Sequence, residues 1–221
     1  MTHPEPIRFL FDFISPYAYL AWTQIHALAD RHGRQVLPVP ILFAALLNTY
    51  GHKGPAEIPP KRAYVFKDTL RRAALFGVPL SPPPTHPFNP LLALRASSLP
   101  MPEDKRRELI SALFRATWGG GQGVESPESV AAAATSVGLD GERIVADAGS
   151  PEAKARVRAQ TESALAQGAF GVPSIVIGQE LFWGLDSFDL VDRHLRGEDL
   201  IDTAFVQRWA TLEASASRVR G

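Results

Sequence analysis

The sequence predicts an α/β fold made of two short halves, one strand–helix–strand and one strand–strand–helix, separated by a long all-helical insertion. Three observations carry that reading. An apolar run, a capped helix and a second apolar run fill residues 7–39. Two short apolar runs about Gly178, followed by a helical pattern, lie towards the other end. Between residues 44 and 168 no strand pattern of any strength occurs. Residues 1–43 and 169–221 are therefore expected to form one discontinuous domain, and 44–168 a helical insertion domain. A chain of 221 residues with 45% hydrophobic content suits one domain carrying such an insertion.

Each element has a local reason. Ile7 to Phe13, IRFLFDF, mixes aromatic and aliphatic residues and reads as a buried strand. Ser15-Pro16 opens a helix that runs through Tyr19, Leu20, Trp22, Ile25 and Leu28 to a stop at Gly33. Serine is a favoured N-cap, and proline in the first helical position gives up no hydrogen bond. A second strand, Gln35 to Val39, follows, and two strands joined by a helix predict a parallel pair. Residues 44–60 read as loop, Lys61 to Phe76 as a helix stopped by Gly77, and 77–90, GVPLSPPPTHPFNP, as a Pro-rich loop. Asn89-Pro90, Pro102, Ser126-Pro127 and Ser150-Pro151 mark further helix starts. Ser174 to Ile177 and Glu180 to Trp183 flank Gly178 as a hairpin. Asp186 then opens a helix through Phe188, Leu190, Val191 and Leu195 to Gly197. This is the layout of a thioredoxin-like fold with a large all-helical insertion.

Composition narrows the function. The 23 basic and 23 acidic residues balance, so the electrostatic footprint of a nucleic-acid binder is missing. No apolar stretch is long enough to span a membrane, and the opening MTHPEPIRFL is no secretory leader, so the cytoplasm is the expected compartment. The chain has no cysteine, which excludes disulfides, thiolate metal sites and cysteine nucleophiles. The six histidines, at 3, 26, 32, 52, 86 and 194, lack metal-ligand spacing, and no metal is expected. GGGQG at 119–123 follows no strand and precedes no Gly-Lys-Ser/Thr, so it is no phosphate loop.

Three motifs remain, each with two readings. Ser15 is a helix cap; it also stands where a strand ends and a helix N-terminus, with free N–H groups and the positive end of a dipole, faces a crevice. In Gly171-Val172-Pro173 the proline is either a strand-entry residue or the second partner of a cis bond. The cis form would turn the backbone of Val172 outward as an edge for an extended peptide. In Gly184-Leu185-Asp186 the acid is either an N-cap or a charge able to pair with an amino group.

The segments FDFISPYAYLA, PPKRAYVFKD, GAFGVPS and FWGLD, in this order and spacing, resemble the kappa-class glutathione transferases. Within that superfamily they resemble most the 2-hydroxychromene-2-carboxylate isomerases, whose thioredoxin-like fold carries a helical insertion as in the disulfide oxidoreductase DsbA. The resemblance covers nearly the whole chain and implies glutathione as cofactor and a homodimer. It implies that Ser15 contacts the glutathione sulfur, that Lys61 lies near the glycine carboxylate, and that Val172, before Pro173, pairs with the cysteinyl backbone. It also implies Asp186 and, in the same turn, Leu185 at the γ-glutamyl end, and Asn89 near the substrate. His52 stands where the kappa enzymes carry an asparagine, and Leu185 replaces a serine; His52 is then a candidate for touching substrate.

A chain without a thiol cannot exchange disulfides itself, so the sulfur must come from outside. The resemblance implies a cis–trans change about a conjugated C=C bond of a small aromatic carboxylate, by reversible thiolate addition. His52, Lys53, Lys61 and Arg62 are candidates for the carboxylate, and Trp118 or Tyr64 for aromatic walls. The alternatives are a kappa-type transferase, which consumes the thiol, and a non-catalytic glutathione- or peptide-binding module.

Overall fold

The computed structural model describes residues 4–199 and 201–216; His3 of the histidine set lies outside them. Four strands form one mixed sheet in the order β2-β1-β3-β4. β1 (Ile7–Phe11) runs parallel to β2 (Val36–Pro40), with Ile7 opposite Val36 and Phe11 opposite Pro40. β3 (Ser174–Ile177) pairs antiparallel with β1 and with β4 (Glu180–Trp183), as the hairpin about Gly178 requires. β2 contains Pro38 and Pro40, which lack an N–H to donate, and it lies at a sheet edge, where such residues are tolerated. The parallel pair and the hairpin thus agree with the sequence reading, with strand ends moved by one or two residues.

The serine–proline pairs act as expected. α1 (Pro16–Arg31), α6 (Pro127–Thr135) and α8 (Pro151–Ala166) start on Ser15, Ser126 and Ser150, whose hydroxyls accept from the amides of Ala18, Ser129 and Ala153. Asn89 works differently: its Oδ1 accepts from Leu91 N at 3.1 Å, at the start of α4 (Leu91–Ser97). α3 (Pro59–Phe76) ends on Gly77 in the left-handed region, and α5 (Glu103–Trp118) follows Pro102.

Three readings need correction. Residues 44–60 are not all loop: α2 (Phe43–Tyr50) is helical, with Gly51 at φ 62° closing it. No local side chain caps its start, so the sequence carries no start signal. The cap comes from elsewhere in the fold: Asp12 Oδ2 accepts from Phe43 N at 2.9 Å, and Thr161 Oγ1 from Leu42 N at 3.0 Å. Second, α7 (Gly141–Ala148) was not anticipated; Asp140 caps it by accepting from Arg143 N. Third, Asp186 opens no α-helix. It lies in a 3-10 turn, Leu185–Ser187, and α9 (Phe188–Leu195) begins after it. Gly184 precedes that turn at φ 90°, and the Asp186 carboxylate leans over its Cα, where a side chain would collide. A further helix, α10 (Thr203–Ala210), follows. None of the described helices is long and apolar enough to cross a membrane.

The main core joins the sheet face to the helices between β2 and β3 through aromatic rings. Phe9, Phe11 and Phe13, spaced by two along and just past β1, point to one face, as strand alternation demands. Phe114 of α5 meets Phe11 at 5.5 Å, Phe13 at 4.6 Å, Tyr19 at 6.0 Å and Trp22 at 6.2 Å between ring centroids. All five rings are buried. Phe114→Ala leaves a cavity at this junction and should cost about 3–5 kcal/mol, lowering the melting temperature by roughly 6–20 °C. Calorimetry of the variant checks this, and a drop under a few degrees would mean the ring is not where the core closes.

Candidate active site

The site forms where β1, β2 and the loop before β3 end together. β1 finishes at Phe11, and the chain turns through Asp12, Phe13 and Ile14 into Ser15, the N-cap of α1. Ser15 is 9% exposed, with extended backbone at φ −96° and ψ 116°. Its Oγ accepts from Ala18 N at 3.2 Å and faces the carbonyl of Val172 at 3.5 Å. The Val172–Pro173 bond is cis. Sheet pairing of β3 begins at Ser174, so the Val172 backbone lies outside the ladder. Gly171 completes this turn by close approach: the Trp183 indole occupies the place a side chain there would need.

Asp12 is the buried charge of the turn. It is 1% exposed, and its two oxygens accept from Ile14 N at 3.1 Å and Phe43 N at 2.9 Å. Burial raises its pKa to about 7 against the opposing pull of those two N–H groups.

A second polar cluster links α1 to α3 beside the site. Tyr17 donates to Asp68 Oδ2 at 2.9 Å, and Arg72 Nε donates to the same oxygen at 2.7 Å. Burial and the Asp68 bond push the Tyr17 hydroxyl up, so it remains a donor. Burial pushes Asp68 up, but the Arg72 and Tyr17 bonds outweigh it and hold the carboxyl below its ordinary range. Arg72 also lies within the electrostatic reach of Asp186. The third link is aromatic: Arg62 stacks over Phe66, Phe66 meets the His86 ring at 5.6 Å, and His86 Nε2 lies 3.1 Å from Ile14 O.

Ser15 and Val172, from opposite ends of the sequence, are thus in direct contact, with Pro173 beside them. Arg62 reaches them through Phe66, His86 and the Ile14 carbonyl, whereas Asp186 is related to the Tyr17–Asp68–Arg72 group only by the attraction of its charge for Arg72. Lys61 and His52 are exposed, on α3 and just after α2, and are not hydrogen-bonded to Ser15 or Val172. Asn89 is exposed, with its Oδ1 already on Leu91 N. Leu185 is 5% exposed and belongs to the core, so only its backbone can face a ligand. Trp118 is no open wall: it is 1% exposed and donates from Nε1 to Phe13 O at 2.8 Å, whereas Tyr64 is 62% exposed.

Sequence reasoning missed Asp12, Tyr17, Asp68, Arg72 and His86. A signal existed for Asp12, an acid inside the apolar run IRFLFDF, and for Asp68 and Arg72, spaced i,i+4 on one helix face. His86 gives no signal inside a Pro-rich loop.

This donor set fits a tripeptide thiol. The hydroxyl of Ser15 and the first-turn amide of Tyr17, which has no intrahelical partner, suit an anionic sulfur. The Val172 backbone suits an extended peptide. The described residues hold no cluster of three or more metal-binding side chains.

Residues 6–196 match the DsbA-like thioredoxin domain model. A 2-hydroxychromene-2-carboxylate isomerase of Sphingobium xenophagum is 30% identical over 195 residues, covering 86% of this chain and 98% of that one. Glutathione S-transferase kappa 1 of Rattus norvegicus is 23% identical over 210 residues, covering 88% and 92%. A solved 2-hydroxychromene-2-carboxylate isomerase superposes with a TM-score of 0.79 at 26% identity, covering 94% of this chain and 99% of that one.

The Asp12 value has a testable sign. A carboxyl whose pKa is raised in the fold stabilises it fully below the unfolded pKa, and that contribution is lost as pH rises towards about 7. Asp12→Asn does not titrate, so its melting temperature should gain on the parent's steadily between about pH 4 and 7. A difference flat across that window would mean that Asp12 ionises at its ordinary value.

Proposed function

Because the chain belongs to the DsbA-like thioredoxin family, and within it to the 2-hydroxychromene-2-carboxylate isomerases, we propose that it is a glutathione-dependent cis–trans isomerase. Its substrate is 2-hydroxychromene-2-carboxylate or a close analogue, a hemiketal that opens to an aromatic cis enone acid as its hydroxyl proton passes to the phenol oxygen, and the product is trans-o-hydroxybenzylidenepyruvate. The observation that carries the reading is the approach of the Ser15 hydroxyl to the Val172 carbonyl at the amino end of α1, in a chain without cysteine. Glutathione, when bound, would supply a thiolate able to add to the C=C of the ring-opened cis enone, the charge passing to the carbonyl as an enolate. The bond, then single, could turn, and collapse of the enolate would expel the thiolate unchanged.

The protein's part is to hold that thiolate. A thiol ordinarily ionises near pH 8.5, and lowering its pKa by about two units takes about 2.7 kcal/mol of preference for the anion. A helix N-terminus contributes about 0.3–1 kcal/mol, up to about 2 when partly buried. A hydrogen bond to a charged group adds about 1.5–3 kcal/mol. Ser15 at the N-cap offers both effects at once. For its hydroxyl to donate to sulfur it turns away from the Val172 carbonyl, a weak partner at 3.5 Å, while its oxygen still accepts from Ala18 N.

Val172 offers its backbone to the cysteinyl unit, and Lys61 a cation for the glycine carboxylate. Asp186, and the backbone at Leu185, serve the γ-glutamyl amino group, with Arg72 holding the acid in a charged setting. Arg62, His52 and Asn89 are the candidates for meeting the substrate, and the Arg62 guanidinium suits its carboxylate.

Transferase activity is the second reading, supported by the kappa-class relative. Stoichiometry separates the two. Turnover should require glutathione and leave its concentration unchanged, and Ser15→Ala should lower kcat by about 100-fold or more, the usual loss of a charge-stabilising donor. The lost cap accounts for only about 1 kcal/mol of stability. An unaltered rate in Ser15→Ala removes the residue from the chemistry; net consumption of the thiol without isomerisation selects the transferase.

A further inference from the structure

We propose that His86 and Trp118 are positioning residues for Ser15, their ring N–H groups clamping the two peptide planes that lead into it. The proposal rests on Ser15 being the group that meets the sulfur.

Both peptide planes that lead into Ser15 are bonded at carbonyl and at N–H. In the Phe13–Ile14 peptide, the carbonyl accepts from Trp118 Nε1 at 2.8 Å and the N–H donates to Asp12 Oδ1 at 3.1 Å. In the Ile14–Ser15 peptide, the carbonyl accepts from His86 Nε2 at 3.1 Å and the N–H donates to Asp12 O at 3.2 Å. A peptide unit is planar. Held at both ends, it cannot rock about its Cα–Cα axis. Two consecutive planes so held fix φ and ψ of Ile14 and so place the N and Cα of Ser15, while the Ala18 N–H, donating to Oγ at 3.2 Å, sets the direction of the hydroxyl from there.

One side of the clamp is local, from Asp12. The other side comes from two rings distant in sequence. They meet edge to face at 5.4 Å. The loop carrying His86 is fastened as well: Ser81 N donates to Trp118 O at 2.7 Å, and Tyr19 Oη to Pro79 O at 2.8 Å. The tautomer follows from the partner. A carbonyl can only accept, so His86 carries its proton on Nε2 and leaves Nδ1 bare; Nδ1 is buried without a partner. Burial, and then the nearby Arg62 charge, lower the ring's affinity for a second proton, against the pull of the Ile14 carbonyl. The ring therefore stays neutral and keeps one donor on Ile14.

Three variants and a structure test this. His86→Phe keeps a ring of similar shape and removes the donor; Trp118→Phe does the same for the indole; His86→Gln returns an N–H at the reach of Nε2. Since a displacement of about 1 Å can cost about 100-fold in rate, a partly loosened Ser15 should cost about tenfold in kcat in each Phe variant. The substrate KM and the calorimetric glutathione Kd should stay within about twofold, and His86→Gln should recover most of kcat. A His86→Phe enzyme turning over at the parental rate overturns the proposal, as does a Gln variant as slow as the Phe variant at equal melting temperature. A crystal structure of His86→Phe decides the geometry even if the parent neither binds glutathione nor isomerises, an outcome that would fault the functional reading alone. Displacement of Ser15 Oγ by about 0.5 Å or more supports the clamp, on the tolerance that preorganised sites require. An unmoved Oγ contradicts it.

Discussion

Asp12 joins three pieces of chain with one buried carboxyl group. Its oxygens receive the N–H of Ile14, in the turn before Ser15, and that of Phe43, the first residue of α2. The end of β1, the cap of α1 and the start of the helix that follows β2 are thereby fixed relative to one another. An acid held 1% exposed with only two N–H partners is poorly compensated, which is why burial lifts its pKa to about 7. This buried carboxyl satisfies two backbone donors that would otherwise be orphaned in the same small space.

Much of the fold was legible because its signals are local. Ser15, Ser126 and Ser150 each precede proline, and each hydroxyl caps the helix that follows. Gly178 sits between two apolar tetrads that pair as β3 and β4. α2 was illegible for the opposite reason. Its cap residue is Leu42, and the groups that satisfy its first amides belong to Asp12 and Thr161, 31 and 119 residues away from their partners. Asp186 misled because acid before an apolar run is the ordinary mark of a helix start, whereas here its carboxylate folds back over Gly184.

The candidate site divides along the same line. Ser15 and Val172 could be read from short motifs, and the fold brings them to 3.5 Å. The residues that hold them in place could not. Trp118 reads from sequence as an open aromatic wall and is a buried donor to the backbone; His86, in a loop of prolines, reads only as a histidine without metal-ligand spacing. Single sequences expose residues whose role is set by their neighbours in the chain. A residue whose role is one hydrogen bond to a distant carbonyl leaves no trace in spacing or periodicity. The rings of the core show the same limit: the alternation of Phe9, Phe11 and Phe13 predicts a buried face, but not that Phe114 fills it.

The chain brings a helix amino end and a hydroxyl but no thiol, and the proposed chemistry depends on whether a borrowed thiol is ionised there. The most direct measurement is a pH titration of the thiolate ultraviolet absorbance of glutathione bound to the parent protein. The account predicts an apparent pKa about two units below the ordinary thiol value of about 8.5. A bound thiol that titrates as it does free in solution would contradict it.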